Sequence, residues 1–346
     1  IVIHAGYDQW LVIDSAKDPF SKQPLPLAYF NEINVVPSKN VPLIIATHWH
    51  DDHIGGLAEV VKTCSKATVV CSQALEQKQF LILLGQVTKI STLNSGAREF
   101  STVFNLLSSE KRKLKRAVQD RTLLQSSLPD GTPFIVTALS PSDGSIFFFQ
   151  EQLKEIIGNA SPAKAFNPVS PNHTSVVSVI KIGEDHICLG GDLENTFDEN
   201  MGWKAILNAE LLPKGTVAVF KVPHHGSANA YYPQFWEKAL VKNPIAGLTP
   251  YARGRKKLPS PMDISNVYEH TDNAYITAPL VHGRRKKRDP KASKLIRSLG
   301  YDVREIPFSF GQVCLRKKIG RSEPWKVILR GKATELKNLL PTSGDS

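Results

Sequence analysis

The feature that most constrains this chain is a crowded run of ligand-type residues set directly after an apolar strand. Residues 41–46 are apolar throughout, as in a strand covered on both faces, and they run straight into Thr47-His48-Trp49-His50-Asp51-Asp52-His53. In His48-x-His50-x-Asp52-His53, four ligand-type side chains fall within six residues, so a single turn can aim several of them at one point. Imidazole and carboxylate are good donors for zinc and other first-row divalent ions. Crowding them in an apolar setting is unfavourable unless they share a partner. Gly55-Gly56, a stretch of helical period over Leu57 to Val61 and a β-branched strand over Ala67 to Cys71 follow. The order is strand, metal-type loop, helix, strand, which predicts an α/β fold.

Two later strands end in the same chemistry. Phe134 to Leu139 and Val176 to Ile182 read as strands, and Gly183-Glu184-Asp185 turns the chain into Ile187-Cys188-Leu189 and then Gly190-Gly191-Asp192. There the glycines allow close backbone approach and leave a carboxylate at the sheet edge, placed to bridge two ions. Val217 to Val222 ends in Pro223-His224-His225-Gly226-Ser227. Either histidine can complete a second metal, and the other can protonate a leaving group or hold a phosphate oxygen. The opening, residues 1–14, reads as a hairpin whose second strand ends at Asp14. Residues 97–128, with Phe100, Val103, Leu106 and Leu107, a charged run and Leu123-Leu124, read as an amphipathic helical insertion, a candidate lid. Two halves of strands flanked by helices predict two sheets packed face to face within one domain over 1–346, with a basic C-terminal region at 250–292.

These motifs, in this order, resemble the metallo-β-lactamase superfamily, and especially the branch holding the hydrolase domain of the ComEC/Rec2 DNA-uptake proteins. The resemblance spans roughly residues 1–230 and is strongest at Leu43 to Leu57, at Asn172-His173-Thr174-Ser175 through Asp192, and at Lys221 to Ser227. It implies an αββα sandwich, with two central mixed sheets flanked by helices, and a site for two divalent ions, zinc first and manganese as the alternative. Carried over by position, His48 and His50 would hold the first ion and Asp52 and His53 the second. Asp192 would bridge, and His224 or His225 would join the second ion. Asp14 would support the metal loop rather than bind metal. Many superfamily members supply a further histidine to the first ion. Here either His173 or Asn172 stands at that place, which implies a more open first ion. The catalytic roles would fall on Asp52 and His225, and the reaction would be hydrolysis.

Charge then speaks to the substrate. The chain has 346 residues and a formal net charge of +11, which favours an anionic partner. The excess is clustered in 111–116, in Arg253, Arg255, Lys256 and Lys257, and in Arg284, Arg285, Lys286, Lys287 and Arg288. Nucleic acid is the partner this predicts, since backbone capture needs only Lys and Arg near a cleft. The expected activity is that of a phosphodiesterase or nuclease. The alternatives are a small-molecule hydrolase acting on a lactone, lactam or other ester, and a metal-binding component of a larger assembly with partner proteins. No apolar run approaches the roughly 18 residues that cross a bilayer, so no membrane span is expected. Cys64, Cys71, Cys188 and Cys314 form no CxxC pair, which favours reduced thiols and the cytoplasm. The sequence opens within strand-like residues, so native residues upstream, and any targeting signal in them, are expected to be missing.

Overall fold

The computed structural model describes residues 1–18, 20–76, 95–157, 171–252, 257–279, 290–300 and 311–340. Its first sheet is built from β1 (Val2–Gly6), β2 (Gln9–Ile13), β3 (Leu43–Ala46), β4 (Thr68–Ser72) and β5 (Leu114–Ala117), in that spatial order. β1 and β2 form an antiparallel hairpin. Its two loop residues, Tyr7 and Asp8, both have positive φ (47° and 63°), the twist that tight hairpins require. β2, β3, β4 and β5 run parallel, so the ends of β2 and β3 lie side by side.

The second sheet takes in β6 (Arg121–Ser127), β7 (Pro133–Ala138), β8 (Ser178–Ile182), β9 (Asp185–Leu189), β10 (Val217–Lys221), β11 (Leu240–Leu248), β12 (Ala274–Ile276) and, past the β13 (Gly311–Arg316) and β14 (Lys326–Gly331) hairpin, β15 (Thr334–Glu335). Its order is β15-β12-β11-β10-β9-β8-β7-β6. β6 to β9 pair antiparallel, whereas β9 to β12 are parallel. Both sheets are therefore mixed.

The period-two alternation of strand side chains sorts the core into three layers. Leu11, Ile13, Leu43, Ile45 and Val70 face inward and meet Phe134, Val136, Ile180, Ile187 and Val219 of the other sheet. The alternate residues Val12, Ile44, Val69 and Cys71 face outward and pack against Phe30, Val60, Val61, Phe100 and Phe149. On the far side Cys188, Val217, Phe220 and Ala246 pack on Trp203, Phe235, Trp236 and Ile264. Each sheet thus carries helices on one face and the other sheet on the opposite face, giving the expected αββα sandwich. Among the described residues no helix is long and apolar enough to cross a membrane, and none of the four cysteines forms a disulfide.

The reading of residues 97–128 as one helical insertion needs correction. A helix covers Ser95–Ser109, but the charged run beyond it enters strand β5, and Leu123-Leu124 lie in β6. The chain crosses here from one sheet to the other, so no helical lid is built from 111–128. The charges misled because long basic side chains on a strand, or just before it, can turn back onto backbone. Lys115 Nζ donates to the Leu123 carbonyl (2.7 Å). The Arg112 guanidinium donates to the carbonyls of Val61 (2.9 Å), Cys64 (3.2 Å) and Ala67 (2.9 Å). Charged hydrogen bonds of this kind contribute about 1.5–3 kcal/mol each when lost singly. The three bonds share one guanidinium and their losses overlap, so Arg112→Ala is expected to lower stability by at least about 3 kcal/mol in urea unfolding, with nucleic-acid binding and metal content unchanged. A loss of binding without loss of stability would restore this cluster as a binding surface.

Candidate metal centre

Parallel pairing of β2 with β3 sets Asp14 beside Thr47, and β3 delivers the metal loop at its end. Asp14 is held at φ 58°, a strained conformation that its hydrogen bonds over-determine. Its Oδ1 accepts the Thr47 N–H (2.7 Å), and its Oδ2 accepts the Thr47 hydroxyl (2.8 Å) and the His53 Nδ1–H (2.7 Å). Because the Thr47 hydroxyl donates to Asp14, it is left to accept from His48 Nδ1 (2.9 Å). His225 Nδ1 in turn donates to the Thr249 carbonyl (3.1 Å). One ring nitrogen of each of these three histidines is thus occupied from outside, and Nε2 is left to face inward. This is the arrangement that fixes the tautomer and orientation of a ligating imidazole.

The inward atoms fall into two groups. His48, His50 and Asp192 offer ligand atoms within 4.8 Å of one another, and so do Asp52, His53 and His225. In the first, His48 Nε2 lies 3.1 Å from His50 Nδ1 and 4.0 Å from Asp192 Oδ2. In the second, His225 Nε2 is 3.3 Å from Asp52 Oδ2 and His53 Nε2 is 4.0 Å from it. Asp192 lies between the groups. Its Oδ1 is 3.3 Å from His53 Nε2, and its Oδ2 is 3.6 Å from His225 Nε2. His48, His53, Asp192 and His225 are buried. Four inward imidazole nitrogens around two carboxylates, with nitrogens 3.1 Å apart, form a donor set that fits two divalent ions.

The backbone is shaped to the same end. Gly191 has φ +52°, and a Cβ there would stand 2.5 Å from Ser175 Oγ and 2.9 Å from the Val176 carbonyl. Ser175 Oγ accepts the Asp192 N–H (3.0 Å), while the Val176 N–H donates to the Thr47 carbonyl (3.1 Å). The Asp192 turn is thereby pinned against the metal loop of the other sheet. After β10, His224 and His225 both adopt positive φ (43° and 56°). The two residues therefore point different ways, and only His225 joins a ligand group. His224 Nδ1 lies 3.0 Å from Asn229 Oδ1 and 3.1 Å from Glu194 Oε1 instead. Asn172 Nδ2 donates to Glu194 Oε1 (2.7 Å), and His173 belongs to neither group. Among the nucleic-acid candidates, Lys257 is exposed, whereas Arg253, Arg255, Lys256 and Arg284 to Arg288 lie outside the described residues.

Three residues missed by sequence reasoning complete the site. Lys221 Nζ donates to the Gly191 carbonyl (2.8 Å) and stands 3.5 Å from Asp192 Oδ1. Glu194 gathers Asn172 and His224, and Thr249 orients His225. Each acts through strand pairing, and the sequence carries no local signal for it.

Electrostatics follow from burial and proximity. Burial alone would lower His53, but the Asp192 and Asp14 carboxylates overcome it and push the imidazole up to about 10. Burial drives His48 and His50 below the usual histidine range. Burial would raise Asp192, yet His53 and then Lys221 hold it well below the carboxylate range. In the metal-free protein the raised His53 therefore contributes stability in full below its ordinary 6.5, and that contribution is lost as pH rises through about 10. Since a ligating imidazole must be neutral, metal uptake at pH 8 is expected to release about one proton from His53. Calorimetry in buffers of differing ionisation enthalpy reads this directly, and uptake with no proton released would contradict the assignment.

An αββα sandwich with paired histidine and aspartate clusters at the strand ends is the architecture of metallo-β-lactamase-fold proteins. The profile of the metallo-beta-lactamase superfamily matches residues 1–150, the part that holds the first sheet and the metal loop. A UPF0173 metal-dependent hydrolase of Listeria monocytogenes serotype 4b is 26% identical over 138 residues, covering 38% of this chain and 56% of that protein. The matched part thus spans about half the length of that relative. Similar solved structures include human tRNase Z, short form (11% identity, 57% of this chain and 64% of that one, TM-score 0.28). A B3 metallo-β-lactamase with an active-site glutamic acid has 15% identity, 60% and 62% coverage and a TM-score of 0.28.

Proposed function

We propose that the protein is a metal-dependent hydrolase that cleaves phosphodiester bonds in nucleic acid, in the branch of the superfamily that includes ComEC/Rec2. The observation that carries the hydrolase reading is Asp192, whose two oxygens reach ligand atoms of both groups. Two divalent ions, zinc first and manganese as the alternative, would supply a water of lowered pKa and neutralise charge on the attacked centre and leaving oxygen. His48, His50 and Asp192 would hold one ion, and Asp52, His53 and His225 the other, with Asp192 shared. The chain's own part is orientation. Asp14, Thr47 and Thr249 fix the imidazoles, and the Gly191 turn fixes the bridging carboxylate.

Charge and chain path support the nucleic-acid substrate. The Tyr251 ring lies 5.2 Å from that of His225, and Tyr251 and Leu258 exchange backbone hydrogen bonds of 2.9 and 2.8 Å. Tyr251 and Leu258, which flank Arg253, Arg255, Lys256 and Lys257 in sequence, therefore pair with each other beside the second ligand group. Incubating metal-loaded protein with plasmid and with single-stranded DNA and RNA tests the reading. Cleavage that is abolished by chelator and restored by zinc or manganese is expected. Turnover of a lactone, a lactam or a small ester with no nucleic-acid cleavage would favour the small-molecule hydrolase instead.

A further inference from the structure

Lys221 brings to this site a positive charge that the ligand scheme does not use. It ends β10, opposite Leu189 of β9, and its side chain is 13% exposed. Lysine is rarely so buried unless paired. Its ammonium donates to the Gly191 carbonyl (2.8 Å) and lies 3.5 Å from Asp192 Oδ1, the oxygen that is 3.3 Å from His53 Nε2. A neutral amide donor would satisfy the Gly191 carbonyl equally well. What lysine adds is a positive charge against the carboxylate that both groups share.

We propose that Lys221 is a positioning residue that acts as a fixed counter-charge to Asp192, holding the carboxylate in place without metal and weakening the hold of the site on divalent ions. The inference rests on the two-metal reading above. Any ion on Asp192 Oδ1 would share that oxygen with the ammonium, and like charges repel strongly where water is scarce. The arrangement trades tight binding for a site that keeps its shape while ions exchange.

The test is chelator competition with Zn2+ alone and with Mn2+ alone on metal-stripped wild type, Lys221→Gln, Lys221→Met and Lys221→Arg. Gln keeps a hydrogen-bond donor for Gly191, Met removes it, and Arg keeps the charge. The neutral variants are expected to bind Zn2+ at least about tenfold more tightly than wild type and to lose it more slowly to EDTA, with Arg close to wild type. Unchanged or weaker affinity in the neutral variants, or failure of both to fold, would overturn the inference, because lysine would then serve only the Gly191 turn. Wild type that takes up no ion would remove the two-metal reading as well, so the two failures are distinguishable.

Discussion

Asp192→Asn is expected to cost the protein both ions and to lower hydrolysis by on the order of a thousandfold, since several kcal/mol of transition-state charge stabilisation is at stake and each 1.36 kcal/mol is a factor of ten. The breadth of the loss is the distinguishing point. Asp192 Oδ1 and Oδ2 face His53, His48 and His225 at 3.3, 4.0 and 3.6 Å, so the residue belongs to both groups. Asp52→Ala and His53→Ala remove donors from the second group alone. They are expected to abolish turnover while leaving the His48–His50 group able to take up an ion. Asparagine keeps the shape of the buried side chain, so circular dichroism should report an intact fold. Metal analysis of the purified variants separates the cases. Wild-type turnover in all three would exclude the two-metal mechanism.

Neutralising Arg284 to Arg288 is expected to flatten the salt dependence of nucleic-acid binding. Each phosphate contacted by a cation releases condensed counterion, so the slope of log affinity against log salt is about −0.9 per contact on duplex DNA and about −0.7 on single strands. Removing the five charges of this run should reduce the slope by up to several such increments and weaken binding, with metal content unchanged. Arg253 to Lys257 should behave likewise. Binding of DNA and RNA across a salt series, for wild type and each variant, provides the measurement. Identical slopes would assign this charge to solubility or to another partner and give the lead to a small-molecule substrate.

The metal loop was legible because its information is local. His48, His50, Asp52 and His53 share one turn after an apolar strand, and Asp14 announces itself at the end of the neighbouring hairpin. The unbroken apolar run over 41–46 marked the strand, and Gly190-Gly191 flagged the Asp192 turn. The choice between His224 and His225 was not legible. It depends on two consecutive positive-φ residues and on Thr249, 24 residues further on. Lys221 and Glu194 were invisible for the same reason, as their partners are set by which strands lie side by side. The part of the 97–128 reading that fails, 111–128, was misread because charged residues at a strand and on a helix surface look alike until Arg112 and Lys115 are seen to reach backbone carbonyls.

Anomalous diffraction from crystals loaded with zinc or manganese tests the central claim most directly. Two peaks about 3.5–4 Å apart are expected, one ringed by His48, His50 and Asp192, the other by Asp52, His53 and His225, with Asp192 between them. A single ion, two ions elsewhere, or His224 bound in place of His225 would contradict the account.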